Sequence, residues 1–181
     1  MIRIAMVVLA VGLAGAARAA EPEPPPEHRG LSLLLNAGQY SAFGAGLGFG
    51  NRTVGVRASA GWSPLLLVEE QGSSSSLKFY SSWMVAPDVY ARLLSPQPTS
   101  DIGAQAGYRY DSLLGHGLAV GGYGQIALSR SLDANVSIGF LVYPDGENRL
   151  KREKNLPSST GYSFPGPNFS FVASVGLAFF P

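Results

Sequence analysis

Three neighbouring side chains offer the groups needed for nucleophilic catalysis. Ser112 carries a hydroxyl, His116 a base and Asp111 a carboxylate. Serine hydrolases and acyltransferases combine a nucleophile, a nearby base and an orienting acid. The histidine lies between two glycines, a context that also suits a tight loop, and no longer catalytic motif surrounds it. We therefore expect this stretch to be a loop and the protein not to be an enzyme.

A basic cluster lies near the C-terminal end, where Arg149, Lys151, Arg152 and Lys154 fall within six positions. Arginine and lysine bind phosphate through charge-assisted hydrogen bonds, so the cluster is a candidate contact for phosphate groups. Acidic residues are interleaved with it, which slightly favours an ordinary solvated loop. A single loop histidine with scattered carboxylates is too little for a metal site, and we expect no metal and no cofactor.

A third set of chemically capable side chains shares one face of alternating segments with glycine and serine. Its members are Arg57, Asp88, Arg92, Gln105, Arg109 and Tyr123. Unpaired charges are costly in a narrow space with low dielectric constant. We therefore predict an Arg–Asp network that fills an interior as a polar plug. A gate or a narrow ion path is the alternative interpretation.

These side chains belong to segments in which apolar residues recur at every second position. Eight such segments can be read, at 31–38, 43–50, 53–62, 84–94, 102–110, 118–128, 132–142 and 169–179. Alternation over about ten residues is typical of transmembrane β-strands. Pro87 predicts that the fourth segment is bulged or starts later, because proline cannot donate to a β-ladder.

The distribution of residues between the two faces argues against a soluble sandwich or a lipocalin-like barrel. One face of each segment is aliphatic and aromatic, whereas the other carries glycine, serine and charge. A soluble barrel fills its interior with apolar side chains. We therefore predict an eight-stranded antiparallel transmembrane β-barrel, closed and all-β, with a plugged polar lumen.

The links between the segments alternate in length, as in outer-membrane barrels. Short links are expected near 51–52, 95–100 and 129–131, and longer ones near 63–82, 111–117 and 144–168. In the first of the longer links, a run of four serines predicts a flexible tip. The apolar stretch 65–68 beside it is interpreted as strand extension or self-packing, with partner contact as the alternative.

Composition limits the remaining classes of function. The 181 residues include 23 glycines and no cysteine, which excludes disulfide scaffolds, zinc–cysteine sites and thiol catalysis. The formal net charge of +1 is too balanced for a general nucleic-acid-binding surface. Residues 1–19 have the basic start, apolar run and Ala-Arg-Ala ending of a secretory signal peptide. Residues 20–29 are rich in proline and are interpreted as a periplasmic tether, which leaves 30–181 for the barrel.

The chain resembles the small outer-membrane β-barrel proteins of Gram-negative bacteria, of the broad OmpA/OmpX-like class. The resemblance is carried by the alternating pattern and by the terminal strand, whose end Val175-Gly176-Leu177-Ala178-Phe179-Phe180 alternates and closes on aromatic residues. It implies that the barrel-assembly machinery reads Phe179 and Phe180. Pro181 departs from the pattern, since such chains often end on the aromatic residue itself.

The resemblance implies location in the bacterial outer membrane, among lipid and lipopolysaccharide, whose phosphates the basic cluster would contact. We expect a non-enzymatic barrel that acts as an envelope anchor or as an interaction surface, through its outer loops or within a larger envelope complex with an unidentified protein partner. Two alternatives remain open, an outer-leaflet lipid-modifying hydrolase or acyltransferase and a small channel.

Overall fold

The computed structural model describes residues 30–181, so the predicted signal peptide and tether lie outside the described residues. This part of the chain is all-β except for one short helix. Its elements are β1 (Gly30–Gly38), β2 (Phe43–Gly50), β3 (Val54–Gln71), β4 (Ser74–Gln97), β5 (Ser100–Asp111), β6 (Gly115–Ser129), β7 (Leu132–Val142), α1 (Gly146–Glu153), β8 (Gly161–Tyr162) and β9 (Phe169–Phe179).

The eight long strands pair in a ring, and every pairing is antiparallel. Strands β1 to β7 follow one another in sequence order, and β9 pairs with both β7 and β1. The β1–β9 ladder extends from Leu33–Phe179 to Gly38–Ser174. We call the end with the short links 51–53, 98–99 and 130–131 the turn end, and the opposite end the loop end. The prediction of eight antiparallel strands is confirmed.

The ring is apolar outside and polar inside. Outward residues such as Leu47 and Phe49 are 54% and 65% exposed, whereas the inward Arg109 and Asp133 are fully buried. Period-two alternation places these two classes on opposite faces of each strand. The predicted inverted distribution is therefore present in the structure.

Strands β3 and β4 continue beyond the other strands as one long hairpin. Their ladder extends from Val54–Ala91 to Gln71–Ser74, so the prediction of a long loop over 63–82 is wrong. The serines expected at a flexible tip lie in the hairpin, and those at 74–76 pair with 69–71. Leu67, in the apolar stretch 65–68, is 4% exposed because it packs against loop-end residues. Strand extension was therefore the right interpretation of that stretch.

Pro87 lies within a regular part of β4. The β4–β5 register is the same at Val85–Tyr110 and at Asp88–Gly107, and the irregularities follow Arg92 and Leu94. The predicted bulge or late start at Pro87 is therefore wrong. The physical reason is a donor supplied by the side chain of Arg109, which lies on the neighbouring strand.

Residues 143–168, predicted as a loop, contain α1 and β8, and we call them the cap segment. Strand β8 pairs with Glu69 and Glu70 of β3. Beneath it lies an apolar group that we call the loop-end cluster, formed by Tyr40, Leu67, Leu113, Leu114, Ala119, Leu141, Tyr143, Leu150 and Val172. Leu150 of α1 is fully buried there. No helix within residues 30–181 is long and apolar enough to cross a bilayer.

Candidate functional site

A buried ion pair between Arg109 of β5 and Asp88 of β4 lies in the interior, towards the loop end. Arg109 Nη2 donates to both carboxylate oxygens of Asp88, at 2.9 and 3.1 Å. Its Nε donates to the carbonyl oxygen of Tyr40 at 3.0 Å, and the Tyr40 ring lies 4.8 Å from the guanidinium. One arginine therefore joins β5, β4 and the β1–β2 link across the interior.

The same guanidinium compensates for the proline in the neighbouring strand. Pro87 has no N–H to offer to the β5 ladder. Arg109 Nη1 instead donates to the carbonyl oxygen of Tyr108 at 2.8 Å and to that of Pro87 at 3.4 Å. A buried carbonyl without a donor is costly, and here a side chain supplies the donor. A side chain at Gly107 would collide with Asp88 and with the Pro87 carbonyl, so glycine is required there.

A second layer lies nearer the turn end and is centred on Arg57. Arg57 Nη2 donates to Gln125 Oε1 at 2.8 Å, and Gln125 Nε2 donates to Asp133. The guanidinium also lies over two rings, 4.2 Å from the Tyr90 centroid and 5.3 Å from that of Tyr123. Arg57 thus contacts rings and an amide here.

A third layer is formed at the turn end around Asp101. Arg52 Nη2 lies 2.7 Å from Asp101 Oδ2, and Arg92 Nη1 lies 3.6 Å from Oδ1. The Arg92 side chain is 35% exposed, so it borders the interior opening. Arg52 was absent from our predicted network, because it precedes β3 in a turn and shows no alternation.

Gln105 connects β5 to β6 and, beyond it, to β7. Its Nε2 donates to the Gly122 carbonyl oxygen at 3.3 Å, and its Oε1 accepts from Ser137 Oγ at 3.3 Å. All six predicted interior residues therefore lie in the ring, distributed over three levels.

The candidate catalytic residues hold separate partners. Asp111 is buried and accepts from Ser82 Oγ at 2.7 Å and from the backbone N–H of Leu113 at 2.8 Å. Ser112 Oγ accepts from the backbone N–H of a neighbouring strand. His116 is exposed, and its Nδ1 is hydrogen-bonded to the hydroxyl of Tyr108. No hydrogen bond joins Ser112 to His116 in the part described, and residues 30–181 contain no group of three potential metal ligands.

The predicted basic cluster lies on α1 and at its C-terminal end, and its members separate. Lys151 pairs with Glu147 at 2.7 Å along the helix, and Lys154 Nζ lies 5.8 Å from the Tyr80 ring. Arg152 is exposed. Arg149 alone extends to the β5–β6 link, where its Nη2 lies 3.5 Å from the Ser112 carbonyl oxygen.

The two terminal aromatic residues face different surroundings. Phe179 is 39% exposed on the outer face, opposite Leu33 of β1. Phe180 lines a small cavity at the turn end and donates its backbone N–H to the Ser131 carbonyl oxygen at 2.9 Å. Their predicted role in assembly stays a prediction.

Strand pairing and the hydrogen bond from Ser163 Oγ to Glu70 fasten the cap segment to the β3–β4 hairpin. Glu69 is 2% exposed and accepts a hydrogen bond from the Tyr80 hydroxyl, while Tyr162 of β8 pairs with Glu69 across the ladder. Burial, followed by the nearby Glu69 charge, raises the pKa of Tyr162 to about 12. Burial and the hydrogen bond to Glu69 raise the pKa of Tyr80 as well. Sequence reasoning missed this contact because it placed 69 and 70 in a loop.

Comparison with solved structures reveals the fold. A major outer membrane protein from Thermus thermophilus superposes with a TM-score of 0.52 at 13% identity, over 82% of this chain and 98% of that chain. The chain has the fold of an outer-membrane β-barrel. Acinetobacter baumannii CarO2 gives a TM-score of 0.35 at 12% identity, over 84% of this chain and 97% of that one, a score too low to indicate a shared fold. No family model and no curated protein matches the sequence.

Proposed function

We propose that the chain is a closed, non-enzymatic and non-conducting barrel of the bacterial outer membrane that presents its loop end as an ordered interaction surface outside the cell. The buried Arg109 side chain carries this proposal, because it joins Asp88 of β4 to the Tyr40 carbonyl oxygen in the β1–β2 link across the interior and has no exposed surface. The loop-end cluster and the cap segment cover the interior above it.

The outer face supports placement in a bilayer. Aromatic side chains form a row at the loop end, with Phe43 next to Trp62 at 5.5 Å and Trp83 next to Tyr110 at 5.3 Å. Such rings concentrate at the interfaces of membrane barrels. From Val54 to Trp62, β3 extends about 26 Å at roughly 3.3 Å per residue. A tilt of about 40° reduces this to about 20 Å, close to the apolar band of about 25 Å in known barrels.

The interior supports a plug in preference to a channel. The three layers described above fill the ring with arginine, aspartate, glutamine and tyrosine. The cavity beside Arg57 at the turn end has a volume of about 10 Å³, room for roughly one water molecule. A continuous ion path would need wider space on both sides of Arg109.

The loop end supports the role of an interaction surface. The hairpin extends past the aromatic row, and its outer face carries Leu66, Leu77 and Phe79, each more than half exposed. Strand β8 holds the hairpin by pairing with Glu69 and Glu70, and Lys154, at the C-terminal end of α1, lies 5.8 Å from the Tyr80 ring of β4. In an outer membrane, the candidate partners of this surface are lipid, lipopolysaccharide and an envelope protein. The enzyme alternative has less support, because Ser112 and His116 have separate partners.

The proposal is tested by refolding the full chain into phosphatidylcholine vesicles and recording planar-bilayer currents. We expect a heat-modifiable band on gels, which reports a folded barrel, and no conductance steps above the empty bilayer. A band that does not shift on heating would contradict the barrel. Conductance from wild-type chain that shows the heat-modifiable band would contradict the plug but not the barrel.

A further inference from the structure

Arg149 leaves the cap segment and reaches the outer face of the ring. Its Nη2 lies 3.4 Å from the Tyr110 hydroxyl, and its guanidinium carbon lies 5.7 Å from that ring. The side chain passes directly over Gly115, where a Cβ would lie 3.0 Å from Arg149 Cδ and Nη1. Gly115 also has a φ of +83°, which favours glycine. The backbone at this link therefore makes room for the arginine.

The arginine has no counter-charge at this position. Within residues 30–181, Arg149 makes no ion pair, although Lys151 on the same helix pairs with Glu147. Its Nε is buried without a hydrogen-bond partner in that part of the chain. A guanidinium held in place without an anion is suited to bind one, and its planar fork matches phosphate.

A second side chain that can donate a hydrogen bond to a phosphate lies beside Arg149. The His116 ring is exposed and stands 5.2 Å from the Tyr110 ring that Arg149 covers. Tyr108 occupies Nδ1, and Nε2 has no hydrogen-bond partner among the described residues. Arg149 and His116 thus flank one aromatic ring at the loop-end border of the apolar band.

An apolar groove begins directly below this pair. It is part of an open apolar recess of about 1060 Å³ that spans the outer faces of β2 to β7, and Pro87, Ala106, Tyr108, Leu118 and Val120 line the part below this pair. The β5–β6 register stacks the rows Tyr110–His116, Tyr108–Leu118 and Ala106–Val120 in order towards the turn end. The small side chains of Pro87 and Ala106 leave the recess. A phosphorylated acyl lipid fits this arrangement. Its phosphate would accept hydrogen bonds from Arg149 and His116, and its acyl chain would lie in the apolar groove.

We propose that this face binds a phosphorylated acyl lipid of the lipid A type, with a phosphate on Arg149 and His116 and an acyl chain in the groove. The proposal rests on the function proposed above, because it needs the loop end to lie at the outer leaflet. It narrows the predicted basic cluster to one residue. Lys151 has a carboxylate partner, Lys154 lies over the Tyr80 ring, and Arg152 is exposed.

The test titrates the full chain, folded in detergent micelles, with lipid A and reads the bound fraction by native mass spectrometry. We expect Arg149→Gln to weaken binding about tenfold, the loss expected for one charge-assisted phosphate contact. Arg152→Gln is the matched control, with the same change on the same helix, and should remain within about twofold. Equal losses in both variants would overturn the site in favour of diffuse surface charge.

Two further arms separate the phosphate from the acyl chain. Ala106→Phe fills the groove and should weaken lipid A binding about fivefold, whereas Ala104→Phe, on the same face outside the groove, should not. Dephosphorylated lipid A should bind wild type and Arg149→Gln alike. If inorganic phosphate displaces lipid A at equal concentration, the groove has no part and the lipid assignment is overturned.

The failures of the two proposals are distinguishable. Each variant is first checked for the heat-modifiable band and for insertion into phosphatidylcholine vesicles. A wild-type chain that does not insert would refute the barrel function. A chain that inserts, but binds lipid A equally with and without Arg149, would refute only the lipid site.

Discussion

The interior and the loop end of this ring are both filled, but by opposite chemistry. Around Arg109 the ring is filled by an ion pair and directed hydrogen bonds, whereas around Leu150 it is filled by aliphatic and aromatic side chains. The interior of the ring is walled by strands on all sides, so a polar group there must find its partner on another strand of the ring. The cap segment rests on the rim, where side chains are excluded from water mainly by packing. The interior therefore depends on specific partners and the loop end on apolar area.

The largest expected effect comes from removing Arg109. Arg109→Met leaves Asp88 buried without its partner and also withdraws the donor from the Tyr108 carbonyl. Breaking a buried ion pair from one side costs about 3–5 kcal/mol. We expect a loss of that size in the free energy of unfolding, measured by urea titration in vesicles. Arg92→Met, at the more exposed turn end, is the control and should cost less than about 1 kcal/mol.

Second substitutions at Pro87 and Asp88 test why Arg109→Met is destabilising. In the Arg109→Met background, Pro87→Ala restores a backbone N–H opposite the Tyr108 carbonyl, and Asp88→Asn removes the unpaired charge. Each should recover part of the lost stability. If neither change helps, the contribution of Arg109 lies in packing and the polar account of the interior is incorrect.

A smaller effect is expected from Leu150→Ala at the loop end. Truncating a fully buried leucine costs about 2–5 kcal/mol, and here the cost falls on docking of the cap segment. External protease should cleave 143–168 faster, while the heat-modifiable band and the absence of conductance persist. Leu156→Ala, in the same segment but only partly buried, is the control. Conductance in Leu150→Ala would mean that the cap, and not the polar interior, blocks the ring.

The smallest effect concerns pH. The pKa of Tyr162 is raised from 10.0 to about 12, so the neutral phenol is favoured in the docked cap. The contribution of the neutral Tyr162 phenol to docking of the cap segment is complete below pH 10 and is lost as the pH rises to about 12. Protease cleavage of the cap segment should accelerate across that range, and less so in Tyr162→Phe, which cannot ionise. An unchanged pH profile in the variant would assign the transition to other tyrosines.

Alternation alone predicted the ring well, because the alternation in each long strand can be read from the sequence of that strand without knowing which strands it pairs with. It placed Arg109 and Asp88 on the inner face, but which inner residues meet depends on the register between strands. Residues 65–68 were predicted to extend β3 or to pack on the protein itself, within a link otherwise expected to be a loop. They form strand because they pair with residues 77–80 of β4.

The helix and its fastening were beyond sequence reasoning for a different reason. Helix α1 contains a single large apolar residue, Leu150, so it has no periodicity to detect. Its position depends on long-range contacts, among them the β8 pairing with Glu69. Arg149 was recognised as a cation, but its isolation from carboxylates became visible only when Lys151 was seen paired.

The unequal length of the ladders has a kinetic consequence. Strands β3 and β4 pair without interruption from Val54–Ala91 to Gln71–Ser74, between residues close in sequence, whereas β1 and β9 join the two ends of the described chain along a much shorter ladder. Contacts between sequence neighbours form early, and contacts across the whole chain form late. The β1–β9 seam is thus the last to form and the first to part, and a chain released before its last strand inserts would leave that edge open.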